Sequence, residues 1–183
     1  MIIKNHYLIF FFYIIFFLIY KNSALSVDDS DILIDRVLMT AVKKSNYQKV
    51  EEMLDKDAAV NYRDSKNLVP LAYALENDDS KMFKLLLSKG ANPKATILKK
   101  TSLLIYYISI NKYSMIDEII QSGVDINFQD KMGMTALMHS VEKLNVNAVT
   151  KLVQKESNLD ITDFSGKTIF DYSKNSRNTV IKK

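Results

Sequence analysis

The apolar residues of this chain recur in short clusters with a long, regular period. We align the chain on the leucine that opens one kind of cluster. Successive members then stand 33, 32, 34 and 33 residues apart, in a column of Leu38, Leu71, Leu103, Leu137 and Phe170. Self-similarity at a period of about 33 residues is typical of proteins built from stacked repeats. The pattern therefore predicts several copies of one structural unit.

A second kind of apolar cluster follows each member of this column. Its apolar residues recur every three or four positions, as they do on one face of an α-helix. Each unit is therefore predicted to be a pair of helices. The second helices are expected at 50–54, 83–87, 116–120 and 149–153.

Turn residues separate the helix pairs at the same period. Segments 130–135 and 163–168 both read DxxGxT, and Gly90 and Gly123 each follow a predicted second helix. Glycine is common just beyond a helix end because the backbone there often takes a positive φ. The chain has only four glycines, and all of them fall at these turns: Gly90, Gly123, Gly133 and Gly166.

Taken together, these motifs resemble the ankyrin repeat. Segments 69–74 (VPLAYA), 135–140 (TALMHS) and 168–173 (TIFDYS) are similar to the TPLHxA helix start of that family. The resemblance implies an all-α fold, an ankyrin-repeat solenoid of stacked helix–turn–helix units with short hairpin loops. The repeat domain is expected at 36–183, with units at 36–66, 67–99, 100–132 and 133–165 and a partial unit at 166–183.

The sequence departs from the family pattern in two ways. The histidine that usually follows the leucine is absent from each unit, and its place is taken by Met39, Ala72, Leu104 and Met138. This absence predicts fewer hydrogen bonds between neighbouring loops and a less rigid array. The third unit also has Tyr106 where alanine is expected and one extra residue between 109 and 114. We expect a bent or loosened first helix in that unit.

An apolar leader precedes the repeats. Residues 7–20 (YLIFFFYIIFFLIY) contain no charge, Lys4 lies before them, and small residues follow at Ala24 and Ser26. A positive start, a short apolar centre and a small-x-small exit are typical of a secretory signal peptide, here predicted at 1–26. A membrane anchor at 7–20 stays open, although the run is shorter than the roughly 20 residues that a spanning helix needs. The acidic residues that follow predict a linker or cap at 27–35.

Composition excludes several classes of function. The chain is 48% hydrophobic and has no cysteine, so disulfides and thiolate metal sites are absent. Lys4 and Lys21 in the leader are two of the 25 basic residues, which leaves 23 against 21 acidic ones. The basic and acidic residues are nearly equal in number and alternate along the chain, whereas a nucleic-acid binder has a concentrated basic stripe. The leader contains one of the two histidines, and no nucleophile loop, metal motif or glycine-rich phosphate loop accompanies His139. The sequence predicts no catalytic, cofactor or metal site and hence a protein that is not an enzyme.

The resemblance places binding on a concave surface made of loop tips and first helices. The partner is expected to be another protein, bound by a monomer, with membrane contact only through the leader. Aromatic, Met and Arg side chains are frequent anchors of protein interfaces. The candidates at the tips are Tyr62, Arg63, Phe128, Gln129, Met132 and Phe164, and those on the first helices are Lys43, Glu76 and Glu142.

Two functions stay open at this stage. The first is an adaptor exported to a secreted or periplasmic location, for example a bacterial effector. The second is a membrane-tethered structural scaffold or assembly factor. Cleavage or retention of the leader distinguishes them.

Overall fold

The computed structural model describes residues 29–174, with side chains from residue 33 onward. The predicted leader (1–26) and the last part of the partial unit (175–183) lie outside the described residues. The chain divides into two units between Leu33 and Ile34, and the repeats lie in the second. The described helices are α1 (Asp29–Lys43), α2 (Tyr47–Leu54), α3 (Pro70–Glu76), α4 (Ser80–Ser88), α5 (Leu103–Ser109), α6 (Ile116–Gln121), α7 (Ala136–Glu142), α8 (Val146–Gln154) and α9 (Ile169–Lys174).

The helices form consecutive pairs, as the sequence predicts. The first helices of the later pairs contact one another in order, α3 with α5, α5 with α7 and α7 with α9, and we call these four the inner helices. The second, outer helices are α2, α4, α6 and α8. Between residues 29 and 174 the only β contact is an isolated bridge, Ile97 to Thr101, so the fold is all-α as predicted. No helix in this range is long and apolar enough to cross a membrane.

The repeat is more regular than the sequence alignment indicates. The inner helices α3, α5, α7 and α9 begin at residues 70, 103, 136 and 169, which are 33 residues apart in each case. The equivalent of Leu71 and Leu137 is therefore Leu104 and not Leu103. The alignment on Leu103 was wrong by one position, and the extra residue assigned to 109–114 does not exist. Two adjacent leucines, both fully buried, made the column ambiguous.

The predicted bend in the first helix of the third unit is also wrong. Helix α5 is a regular seven-residue helix like α3 and α7, and residues 103–108 are all buried. In the corrected register Tyr107, not Tyr106, replaces the small residue that other units provide as Ala74 or Ser140. The irregularity lies in the outer helix, because α6 has six residues where α4 and α8 have nine.

The two ends of the described array differ from its middle. Residues 29–35, predicted as an acidic linker or cap, belong to helix α1, and the Asp35 carboxylate accepts a hydrogen bond from the backbone N–H of Ala59 at 2.6 Å. Phe170 occupies the leucine column but is 54% exposed, whereas the leucines of the earlier units are buried. The core therefore runs through the inner helices and thins at α9.

Candidate protein-binding surface

A hairpin turn leads into each inner helix from α3 to α9, and the four turns have two backbone features in common. They lie at 64–68, 97–101, 130–134 and 163–167. In each, the first backbone N–H donates to the last carbonyl, at N–O distances of 3.0, 2.8, 3.1 and 2.9 Å. The fourth residue of each turn has a positive φ, at Asn67, Lys100, Gly133 and Gly166. The turn at 97–101 differs in that Leu98 also has a positive φ, so the closest repetition is among the turns at 64–68, 130–134 and 163–167.

An aspartate fixes three of the four turns. In the turn at 130–134, one carboxylate oxygen of Asp130 accepts from the backbone N–H of Met132 at 2.8 Å and of Met134 at 3.0 Å. The other oxygen lies 2.8 Å from His139 Nε2 on the inner helix. The same pairing, nine residues apart, joins Asp64 to Tyr73 and Asp163 to Tyr172. We call these three contacts the Asp–Tyr/His pairs.

The hydrogen bonds change the ionisation of these groups. Burial opposes the charged form of Asp130, but the bonds from His139 and from two backbone N–H groups outweigh it and lower the pKa of the carboxyl. The pKa of Asp64 is lowered in the same way, because hydrogen bonds from Tyr73 and from backbone N–H groups outweigh its burial. The hydrogen bond from Tyr172, followed by backbone N–H groups, holds the pKa of Asp163 far below its usual range. The three turns therefore carry ionised, inward-facing carboxylates at neutral pH.

The third unit lacks this pair because Ile97 occupies the aspartate position. Tyr106, the equivalent of Tyr73 and His139, donates its hydroxyl hydrogen bond to Glu76 on the preceding inner helix. Burial, followed by this bond to a carboxylate, raises the pKa of Tyr106. Glu76, a candidate binding residue, therefore also connects two inner helices.

Side-chain hydrogen bonds join two pairs of neighbouring loops although the family's histidine is absent. The lower rigidity of the array stays a prediction. The amide of Asn61 accepts from the backbone N–H of Asn92 at 2.8 Å, and Asn127 makes the same contact with Asn158. Two of the candidate binding residues take part as well. Arg63 donates to the carbonyl of Thr96 at 2.8 Å, and Gln129 donates to that of Thr162 at 2.8 Å.

The other candidate tip residues differ in exposure. Tyr62 and Phe128 are partly buried and pack against the hydrophobic core. Met132 and Phe164 project from their turns and are 49% and 67% exposed. The tip positions therefore divide into rings that support the array and side chains that are open to a partner.

The candidates on the first helices border the Asp–Tyr/His pairs. Lys43 Nζ lies 3.8 Å from the Asp64 carboxylate and 4.1 Å from the centre of the Tyr73 ring. Glu142 is exposed, and its carboxylate lies 3.9 Å from His139 Nδ1. Lys43, Glu76 and Glu142 lie at the C-terminal ends of the first helices α1, α3 and α7, so charges of both signs occur at this end of the helices. In residues 29–174 no group of His, Asp and Glu side chains is arranged to hold a metal ion.

Sequence reasoning did not identify the Asp–Tyr/His pairs. Their signal is present, since an aspartate is followed nine residues later by Tyr or His in three units. This spacing was overlooked because the family resemblance directs attention to the histidine that usually follows the leucine of the column. The sequence assigns His139 no partner, whereas its side chain is 14% exposed and its Nε2 lies 2.8 Å from the Asp130 carboxylate.

Comparison with known proteins agrees with this geometry. The family model described as ankyrin repeats (3 copies) matches residues 7–97 and 104–182. Its first segment includes the apolar run at 7–20, so the match gives the predicted leader no support.

Individual relatives share the same repeats. The chain is 27% identical over 136 residues to a protein of Acanthamoeba polyphaga mimivirus and 29% identical over 129 residues to one of fowlpox virus, both named as ankyrin repeat proteins. It is 26% identical over 144 residues to the neurogenic locus notch homolog protein 1 of Mus musculus. These alignments cover 74%, 69% and 78% of this chain but only 18%, 30% and 6% of the respective relatives.

Proposed function

The chain belongs to the ankyrin-repeat family, and from that premise we propose that it binds another protein through its hairpin turns and inner helices. Ankyrin repeats generally act as interaction modules rather than as enzymes, and stacked repeats use such extended surfaces for partners. The single observation that carries the proposal is the repeated construction of successive turns, each closed by a backbone hydrogen bond and three of them fixed by Asp–Tyr/His pairs. A surface that is already ordered loses little conformational freedom on binding, which favours affinity.

The partner contacts are proposed to centre on the candidate residues that remain open. Met132 and Phe164 offer apolar side chains, and Lys43 and Glu142 offer charges of both signs. Arg63 and Gln129 take a supporting role in this proposal, because each already donates a hydrogen bond to a carbonyl of the next loop.

Cross-linking of the full chain tests the proposal. A photoreactive amino acid replaces Met132 in one variant and Lys43 in a second, and Lys81 on the outer helix α4 in a control. We expect the first two positions to capture the same protein and the control position not to capture it. Capture from Lys81 alone would place the interface on the outer helices and contradict the proposal.

We further propose that the protein works outside the compartment of its synthesis, as an exported adaptor. The predicted signal peptide at 1–26 supports this, and a membrane-tethered scaffold held by residues 7–20 is the second candidate. The relatives named above come from viruses and vertebrates, so they give the bacterial-effector version no support. Fractionation followed by N-terminal sequencing decides between the candidates. A mature start at Val27 indicates export, a retained leader in the membrane fraction indicates tethering, and full-length protein confined to the cytosol contradicts both.

A further inference from the structure

Three large apolar side chains project from successive hairpin turns. Leu98 is 42% exposed, Met132 is 49% exposed and Phe164 is 67% exposed. They lie at the second or third position of the turns at 97–101, 130–134 and 163–167. We call Leu98, Met132 and Phe164 the turn strip.

Direct contacts link the turns that carry the strip. The backbone N–H of Phe164 donates to the carbonyl of Met132 at 3.0 Å. Its ring lies so close to Gly133 that an added Cβ there would stand 2.6 Å from Phe164 Cδ1. Lys100 reaches from the first of these turns to the last, with its Nζ 5.7 Å from the centre of the Phe164 ring, within the range of a cation–π contact. Phe164 is therefore linked directly to the Met132 turn, and to the Leu98 turn through Lys100.

Positive charge surrounds the turn strip. Within the described part of the chain, five exposed lysines of the four turns make no salt bridge: Lys66, Lys99, Lys100, Lys131 and Lys167. The aspartates of these turns point inward, where they accept hydrogen bonds from backbone N–H groups and from Tyr or His. The outward electrostatic field at the strip is consequently positive, although the repeat region as a whole is nearly neutral.

From this arrangement we propose that the turn strip binds an acidic segment of a partner protein that also carries large apolar side chains. The apolar groups of the segment contact Leu98, Met132 and Phe164, and its carboxylates lie against the flanking lysines. The inference rests on the proposed protein-binding function and specifies the chemistry of the partner. A peptide fits better than a lipid surface because polar residues divide the strip into separate contacts and the turn backbones are fixed. Contacts held at fixed spacings favour a partner whose side chains have matching spacings, because little further ordering is needed on binding.

Selection from a random peptide library displayed on phage tests the proposal with a defined probe. The immobilised target is the full chain, and the selected peptides are then synthesised and their dissociation constants measured. We expect peptides that combine Asp or Glu with Leu, Phe, Tyr or Trp. We expect binding to weaken by about tenfold or more in a Met132→Ser, Phe164→Ser double variant, as for the loss of interface anchors.

A second variant tests the charge separately. Lys99→Glu with Lys131→Glu removes positive charge at exposed sites without removing apolar surface. It should weaken binding of the same peptides and reduce its dependence on salt between about 50 and 300 mM NaCl, where screening shortens the reach of surface charges. The matched controls on outer helices are Val153→Ser, at a side chain 46% exposed, and Lys81→Glu. Both controls should bind as the parent chain does.

Each alternative outcome has a definite meaning. Peptides that are basic or uncharged overturn the proposed partner chemistry. Acidic peptides that bind all variants equally overturn the assignment to the turn strip. If binding is instead lost in a Lys43→Glu, Glu142→Lys variant, the proposed protein-binding function stands and only the turn strip is excluded. If neither surface binds any selected peptide, both proposals fail.

Vesicles provide the test against a lipid partner. Vesicles of phosphatidylcholine, with and without phosphatidylserine, are mixed with the parent chain and the Met132→Ser, Phe164→Ser variant. The proposal expects the same vesicle binding for both chains. Binding to phosphatidylserine vesicles that falls only in the variant would overturn the proposal in favour of a membrane surface.

Discussion

Lys100 has a backbone φ of 71°, at the turn position where the next two units place Gly133 and Gly166. A side chain in this left-handed region is strained, whereas glycine is not. We therefore expect Lys100→Gly to raise the free energy of unfolding by about 0.5–1 kcal/mol, as measured by urea denaturation of the full chain. Lys99→Gly is the control, because Lys99 lies in the same turn without a positive φ. An equal gain from both variants would contradict the explanation.

At the scale of the element, Tyr107 explains why the outer helix α6 is short. Its hydroxyl bonds to the Asp78 carboxylate, lies 2.8 Å from Ser114 Oγ, and accepts from the backbone N–H of Met115 at 3.0 Å. The side chains of Asp79 and Asn145 cap α4 and α8 in the neighbouring units, whereas α6 has no side-chain cap. The Tyr107 hydroxyl therefore organises the segment that would otherwise form the first turn of α6.

Removing this hydroxyl tests that explanation. Tyr107→Phe leaves the buried N–H of Met115 without its acceptor, which costs about 1–3 kcal/mol of stability. Tyr113→Phe is the matched control, because its hydroxyl makes a single exposed hydrogen bond, and we expect a change within about 0.5 kcal/mol. Urea denaturation measures both variants. Similar losses in the two would show that the Tyr107 network does not stabilise the third unit.

The turns predict a loss of stability in acid. Asp64, Asp130 and Asp163 have lowered carboxyl pKa values in the folded chain, so the unfolded chain binds protons more readily. The stabilisation is present above the unfolded value of about 3.9 and disappears as the pH falls toward the folded values. We expect the free energy of unfolding to be nearly level from about pH 7 to pH 5 and to fall below about pH 4.

Substitution at one turn checks the source of this pH dependence. Asp130→Asn should lower the free energy of unfolding at neutral pH by about 1–3 kcal/mol, because hydrogen bonds to a charged carboxylate are lost. It should also reduce the fall in this free energy below about pH 4. Asp160→Asn is the control, because Asp160 is exposed and its carboxylate makes no hydrogen bond or salt bridge within residues 29–174. Denaturation series at several pH values compare the variants. An unchanged acid limb in Asp130→Asn would contradict the role given to the Asp–Tyr/His pairs.

At the scale of the whole molecule, the sequence predicts the architecture better than the details of the third unit. The sequence predicts the period, the helix pairs and the glycine positions because they depend on local turn residues. The register of the third unit was missed because Leu103 and Leu104 fit the column equally well. Gly90 and Gly123 are 33 residues apart, and so are Gly133 and Gly166. This constant interval identifies Leu104 as the member of the column.

The exposure and bonding of the candidate residues were predicted only in part, for a physical reason. Met132 and Phe164 stand out as apolar residues in turns, and the structure exposes both. Leu98 was missed because its turn has neither the aspartate nor the glycine that mark the turns at 130–134 and 163–167. Which polar side chains bond to the next loop, as Arg63 and Gln129 do, depends on the spacing of stacked units and cannot be read from one unit's sequence.

Hydrogen–deuterium exchange tests most directly the central claim, that the turns and inner helices bind a protein. The full chain is measured alone and with the protein captured by cross-linking. The account predicts slower exchange on binding in the turns at 97–101, 130–134 and 163–167 and in α5 and α7. Protection confined to the outer helices α4, α6 and α8 would contradict it.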